Sequence, residues 1–319
     1  MLNLTPFLQK YFSPDEPIIL ACSTGPDSMF LLYKILETSY KDNLVACYFN
    51  HKLRPESDSE EKFLEDLGKK HGFKVEIAEA DIKKIQKLYP SKSIEELARE
   101  KRYAFFDAIL HIYNAKHILT AHHLDDKLET FLFNLSRGSK LTGLINMTES
   151  SGAILRPLLD IEKKDILTYL EKNKLPYTID STNEETEFTR NYIRHEILPK
   201  FERLNSNYKQ NINNIINYFE DLKSFIDEEV KNFLQKFSSE KLKVKSDKYF
   251  GINEFNSLSP FLQKEVIRYI YYISNGNSTI GLSEANIAEV IKFINGKGNK
   301  TVKQIRNMKL KKDNKIILY

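Results

Sequence analysis

Two short clusters in the sequence bring together residue types that do chemistry. The first, Cys22-Ser23-Thr24-Gly25-Pro26-Asp27-Ser28, packs hydroxyls, a glycine and a carboxylate into one loop. The second, Ala121-His122-His123-Leu124-Asp125-Asp126-Lys127-Leu128-Glu129-Thr130, sets adjacent imidazoles before two carboxylates, with Glu129 following within a helical turn. The first cluster suits a phosphate. Its hydroxyls and the N–H groups of a following helix face an anion, and Asp27 is able to hold Mg²⁺ beside a departing pyrophosphate. It is neither a GxxxxGK[ST] loop, because it has no lysine, nor GxGxxG. In the second cluster Asp126 and Glu129, three apart, share one helix face. A lone histidine at such a place is usually structural, whereas this set of imidazoles and acids is hard to explain as packing.

These clusters need a frame that carries them to one edge. Ile18 to Cys22 is an apolar strand, and Met29 to Leu32 begins an apolar helix, so the first loop joins a strand to a helix. Leu44 to Phe49 is a continuous apolar run, the mark of a strand covered on both faces. Helical periodicity follows over 57–71, a strand over 74–78, and a capping box at Ser93-Ile94-Glu95-Glu96 that opens a helix through Leu97, Tyr103, Phe106 and Leu110. His117 to Thr120 reads as a strand, Leu124 to Leu135 as a helix, Ile154-Leu155 as the end of a fifth strand and Glu162 to Asn173 as a helix. This alternation predicts an α/β fold, a doubly wound parallel sheet that binds ligands at the carboxyl ends of its strands. Both clusters, and Asn50-His51-Lys52-Leu53-Arg54, follow strands. From about Phe201 helical periodicity runs to Phe237 and again from Phe261 to Ile273, with strand-like pieces at Lys241 to Val244 and Lys315 to Leu318. The expected organisation is a catalytic domain over 1–200 and a second, mainly helical domain over 201–319.

Composition narrows the class. At 319 residues, 41% hydrophobic and 29% charged, the chain fits a two-domain soluble protein. No run approaches the ~20 apolar residues of a membrane span, and the start lacks a signal peptide's pattern, so a cytoplasmic protein with no membrane partner is expected. Cys22 and Cys47 form no CxxC pair and read as small buried hydrophobes, against a zinc site or disulfide framework. The net charge of +4 is mild, but Lys297, Lys300, Lys303, Arg306, Lys309, Lys311, Lys312 and Lys315 are opposed only by Asp313. Such a stripe is either a solvated surface or a seat for a polyanion.

SxGxDS after the first strand resembles the SGGxDS pyrophosphate loop of the N-type ATP pyrophosphatases, with Thr24 where the motif most often has the φ-permissive Gly. Adding AHHxDDxxET, Ser93 to Phe106 (SIEELAREKRYAFF), Leu155-Arg156-Pro157-Leu158-Leu159, Asp180-Ser181-Thr182-Asn183 and Thr189-Arg190-Asn191-Tyr192-Ile193-Arg194-His195, the chain from about 15 to 200 resembles the tRNA(Ile)-lysidine synthetase family in a short form. The resemblance implies ATP and Mg²⁺ as cofactors, with tRNA(Ile) bearing a CAU anticodon and free L-lysine as partners. ATP adenylates the C2 oxygen of the wobble cytidine, and the amine of lysine then displaces AMP. The implied pyrophosphate cradle is Ser23, Thr24, Gly25, Pro26, Asp27 and Ser28, with Asp27 on the metal and Asp125 a second candidate for it. Arg102 and His122 are the implied cations against charge on the α-phosphate, and Asp126 and Glu129 the seat of the lysine ammonium. Arg137, Lys140, Arg190 and Arg194 are the implied grips on RNA. For Arg194-His195 the alternative is a helix N-terminal salt bridge, and Arg156 either binds substrate or braces the sheet. Other classes stay open: a tRNA thiolase with the same loop, which needs an active thiol or a cluster ligand, and a nucleotide sensor, which has little use for the HHxDD acids. An oligomer is allowed.

Overall fold

The computed structural model describes residues 2–53, 57–178, 191–236, 248–296, 301–313 and 315–319. The chain divides into two compact units, Met1–Ile216 and Asn217–Tyr319.

The first unit opens α1 (Thr5–Tyr11), β1 (Ile18–Ala21), α2 (Pro26–Leu36), β2 (Leu44–Asn50), α3 (Ser57–His71), β3 (Lys74–Glu79), α4 (Ile82–Leu88) and α5 (Ile94–Ile112). It continues β4 (Ile118–Leu119), α6 (Leu124–Ser136), α7 (Leu141–Leu144), β5 (Ser150–Ser151), β6 (Ile154–Leu155) and α8 (Lys163–Lys172). A π-helical turn, Ile193–Ile197, then leads into α9 (Leu198–Leu204), and α10 (Tyr208–Gln235) begins in this unit. The strands form one sheet in the order β3-β2-β1-β4-β6-β5, parallel except for β5, which runs antiparallel to β6. The expected doubly wound α/β sheet is what forms.

Strand alternation explains why both faces are covered. Ile18 and Leu20 lie in one buried cluster with Leu31 and Ile35 of α2, Leu64 of α3 and Ile166 and Leu170 of α8. Ile19, between them, belongs to a second cluster with Val45, Cys47, Phe106, Ile109 and Ile118, which places α5 on the opposite face. The strand order reverses between β1 and β4. The topological switch point is therefore at their carboxyl ends, where the two chemical clusters begin.

The second unit holds β7 (Tyr249–Gly251), α11 (Ile252–Ser257), α12 (Pro260–Ser274), α13 (Glu284–Asn295), β8 (Val302–Ile305), β9 (Met308–Asp313) and β10 (Ile316–Leu318). Besides its helices it carries an antiparallel sheet ordered β7-β10-β9-β8. The periodic stretch read over 201–237 is interrupted at Asn205 between α9 and α10. The strand-like Lys241 to Val244 lies outside the described residues, and Lys315 to Leu318 holds β10.

Candidate active site

A cleft of about 490 Å³ opens at the carboxyl ends of β1 and β4, lined by Ser23, Gly25, Asp27, Arg102, His122 and Lys163 among others. Its floor is the β1–α2 loop. Ser28 Oγ accepts the Ser23 N–H at 3.1 Å and donates to the Gly25 carbonyl at 3.0 Å, which ties the loop closed from within. The N-cap residue, Gly25, has no side chain to cap α2, and Pro26 opens the helix. The leading N–H groups of α2, with the positive end of the helix dipole, thus keep the character of an anion seat.

Thr24 stands where the resembled motif has a glycine, yet its φ is 62°. A β-branched residue in the left-handed region costs about 1–3 kcal/mol and persists only where its surroundings hold it. Thr24 is fully buried. Its Oγ1 donates to the Ser23 carbonyl at 2.6 Å and lies 2.7 Å from Thr178 Oγ1, while the Thr178 N–H donates to the Thr24 carbonyl at 2.9 Å.

Asp27 meets a partner that no sequence pattern announced. Lys163 Nζ, at the first position of α8, lies 2.5 and 2.6 Å from the two carboxylate oxygens. The loop that has no P-loop lysine of its own thus receives one from 136 residues away. His123, rather than His122, sits among the acids. Buried at the start of α6, it places Nε2 3.6 Å from Asp27 Oδ1 and 3.4 Å from Asp126 Oδ2.

His122 lines the cleft as expected, but not as a cation. Its Nδ1 lies 3.0 Å from Thr120 Oγ1. Burial, aided by Arg156 and Arg102 and opposed by Asp126, pulls its pKa down to about 4, so near neutrality it is a neutral hydrogen-bonding imidazole. The cationic side chains that line the cleft are Arg102 and Lys163. Burial lowers the pKa of Arg102, the signature of a poorly hydrated guanidinium that gains from an incoming anion. Arg156 both braces and retains a donor: Nη1 donates to the Thr148 carbonyl at 2.9 Å, and its buried Nε has no hydrogen-bond partner among the described residues.

The acids of α6 divide. Asp125 does not line the cleft. One of its oxygens accepts the backbone N–H of Lys163 at 2.8 Å and the other accepts Lys209 Nζ at 2.7 Å. Burial opposes its ionisation, but these two donors hold its pKa below the usual carboxylate range. Asp125, the second candidate for the metal, here caps the first N–H of α8, which also fixes the residue that meets Asp27. Asp126 lines the cleft and accepts the His123 N–H at 3.0 Å. Glu129, 3% exposed, receives a two-pronged hydrogen bond from Arg194, with Nε at 2.7 Å and Nη2 at 3.0 Å. Burial pushes the Glu129 carboxyl up, against the pull of Arg194. Arg194 Nη2 also stands 3.5 Å from Asp126 Oδ1. A guanidinium thus already lies on the carboxylate pair, with Arg194 in salt bridges to both acids. It is carried on the π-helical turn Ile193–Ile197, where Pro199 cannot donate to the carbonyl four residues back.

Arg137 and Lys140 are exposed beyond the far end of α6, Arg137 lying over the Phe133 ring at 5.1 Å. A helix of that length sets them about 20 Å from the cleft end of α6. Arg190, like Arg54 and Asp180 to Asn183, lies outside the described residues. No group of three or more His, Cys, Asp or Glu able to hold a metal by itself occurs among the described residues. That is compatible with Mg²⁺, which usually takes one or two carboxylates and completes its shell with phosphates and water. Asp27 is such a carboxylate. A further cavity of about 560 Å³ in the second unit is lined by Val230, Phe233, Leu258, Leu262 and Val266 among others, and offers no comparable phosphate cradle.

Residues 2–201 match the family model of the PP-loop domain. The tRNA(Ile)-lysidine synthase of Bacteroides thetaiotaomicron is 37% identical over 215 residues, covering 67% of this chain and 50% of that protein. That of Thermosipho africanus is 35% identical over 233 residues, covering 70% and 54% respectively. The chain therefore spans about half the length of the curated relatives it matches. Among solved structures, a U34-tRNA thiolase, NcsA, from Methanococcus maripaludis with its [4Fe-4S] cluster aligns with a TM-score of 0.55 at 16% identity, over 69% of this chain and 77% of that one. This last likeness is one of fold.

Proposed function

The chain belongs to the PP-loop domain family, and from that premise we propose that it is a tRNA(Ile)-lysidine synthase, using ATP to join L-lysine to C2 of the wobble cytidine of CAU-anticodon tRNA(Ile). The observation that carries this reading is the meeting, in one cleft, of a phosphate-cradling loop and the acid-bearing start of α6. A ligase with an anionic nucleotide and a cationic second substrate needs both. In the first half-reaction the cytosine C2 oxygen attacks the α-phosphate of ATP and the α–β bond breaks, releasing pyrophosphate. Ser23, Ser28 and the start of α2 cradle the leaving pyrophosphate, and Arg102 and Lys163 offset its charge. Asp27 would hold Mg²⁺, which supplies further neutralisation of the phosphate oxygens when bound. In the second half-reaction the ammonium of lysine gives up a proton to solvent, the free amine attacks C2, and AMP leaves with the former C2 oxygen. Asp126, the acid of the pair that lines the cleft, receives the ammonium, and Glu129 acts with it through Arg194.

A thiolase reading asks for a reactive thiol, and the cysteines argue against it. Both are buried. Burial pushes the Cys22 thiol up to about 11 and raises Cys47 further, so neither is poised as a thiolate. The deciding experiment is incubation with bulk bacterial tRNA, ATP and labelled lysine. Stable label in a CAU-anticodon tRNA is expected, and its absence under conditions where pyrophosphate is released would reject the lysine assignment.

The second unit contributes sequence-independent grip. In the basic stripe Lys303 pairs with Glu289 at 2.6 Å, and Lys312 Nζ donates to the Ile294 and Gly296 carbonyls at 2.8 and 2.7 Å. Lys297 and Lys300 lie outside the described residues, whereas Lys309, Lys311 and Lys315 are exposed. If these three contact phosphates, replacing them with Gln flattens the dependence of log tRNA affinity on log salt by roughly two units, at ~0.7–0.9 per contact. An unchanged slope would assign the stripe to solubility.

A further inference from the structure

We propose that Thr178 is a positioning residue for the pyrophosphate loop, holding Thr24 in its left-handed backbone conformation through a hydroxyl–hydroxyl latch. The proposal rests on the reading of the β1–α2 loop as a nucleotide cradle. The need for a latch comes from the Thr24 side chain. A glycine reaches φ near +60° without steric cost, so a loop with glycine at this position holds its shape unaided. Thr24 has φ 62° with a branched Cβ and no exposed surface, and relaxing it to negative φ would turn the Thr24–Gly25 peptide and with it the entry to α2. Something outside the loop has to oppose that relaxation.

The segment Pro176–Thr178 supplies it. The Thr24 hydroxyl spends its single proton on the Ser23 carbonyl at 2.6 Å, so the 2.7 Å contact with Thr178 Oγ1 has the Thr178 hydroxyl as donor and Thr24 Oγ1 as acceptor. The Thr178 N–H takes the Thr24 carbonyl at 2.9 Å. In a planar trans peptide the N–H points opposite to the C=O, so this bond turns the Gly25 N–H away from Thr178, and Gly25 lines the cleft. The segment is itself anchored, since Tyr33 Oη of α2 donates to the Pro176 carbonyl at 2.9 Å. Thr178 therefore acts on the cradle through Thr24 and not by touching phosphate.

A double-mutant cycle tests this, because the latch matters only while residue 24 bears a side chain. The variants are Thr178→Val, Thr24→Gly and the double variant, titrated with Mg²⁺ and the non-cleavable analogue α,β-methylene-ATP, with pyrophosphate release measured in parallel. Thr178→Val is expected to weaken analogue binding about two- to tenfold, the worth of one net hydrogen bond. In the Thr24→Gly background the same change should have no effect. Thr178→Ser, which keeps the hydroxyl, should bind like wild type. Melting curves establish that each protein is folded, and should Thr178→Val unfold, Thr178→Ala takes its place in the cycle. An equal loss in both backgrounds, or no loss in either, overturns the latch, as does a wild type that does not bind the analogue. A wild type that binds the analogue and shows the cycle, but never incorporates lysine, keeps the latch and rejects the proposed ligase.

Discussion

Asp27→Asn should lower pyrophosphate release by at least about a hundredfold while leaving tRNA affinity within about twofold of wild type. The substitution keeps shape and removes charge. Asp27 stands at the first turn of α2 with both oxygens on Lys163 Nζ, so its charge sets the position of the lysine and offers the metal a carboxylate. Loss of a single preorganised electrostatic group at a reacting centre typically costs 10²–10³ in rate. The residues proposed to grip RNA are others, which is why binding should survive. Lys163→Met gives the complementary test. If the lysine offsets charge on the leaving pyrophosphate, its removal slows release by a similar order, and the effect on top of Asp27→Asn is small because the two act as one unit. Single-turnover release of pyrophosphate from labelled ATP, beside filter binding of tRNA, measures both quantities. Wild-type turnover by the Asp27 variant would remove the loop from the chemistry.

What was legible in the sequence is what local chemistry dictates. The apolar runs of β1 and β2 and the period over 57–71 are set by residues close in the chain, and of the capping box read at Ser93 the N-cap half forms, with Ser93 Oγ accepting the Glu96 N–H at 3.1 Å. Short elements left little pattern: β5 has two residues, both exposed, and its pairing with β6 is a tertiary fact. The same division holds in the cleft. Ser23 to Ser28 and His122 to Asp126 could be found because each is a compact string that follows a strand. Lys163 and Thr178 could not, because what brings them to the loop is a partner 136 or 154 residues away, and Arg194 could be named without its partner Glu129, 65 residues away. The acids of α6 illustrate the limit from the other side. Their spacing puts Asp126 and Glu129 on one helix face, and the family resemblance implies an ammonium there, but neither can say that Asp125 turns away to cap α8 or that an arginine already lies between Asp126 and Glu129.

That arginine sharpens the separation of the two half-reactions. Asp126→Asn should leave adenylation of tRNA nearly intact and weaken lysine binding by about 1.5–3 kcal/mol, the worth of a charged hydrogen bond, or roughly 10- to 150-fold. The carboxylate lines the cleft on the same helix that begins beside the nucleotide loop, and an ionised acid attracts an ammonium while repelling ATP phosphates. Glu129→Gln should act in the same direction by a different route. Glu129 is buried and its two oxygens hold Arg194, so the amide frees the guanidinium to swing toward Asp126, which it already approaches at 3.5 Å. Lysine must then compete with a captive cation for Asp126, and its affinity falls although Glu129 need not touch it. Arg194→Gln combined with Glu129→Gln removes that competitor, so the double variant should bind lysine more tightly than Glu129→Gln alone. Asp125→Asn is different again: it weakens the cap on α8 and the Lys209 pair, and should lower stability by about 0.5–2 kcal/mol. The measurement follows labelled AMP and labelled lysine on the same tRNA in single turnovers at varied lysine. Loss of the AMP label in the Glu129 variant, with lysine affinity unaltered, would move Glu129 and its arginine from the amine side of the reaction to the nucleotide side.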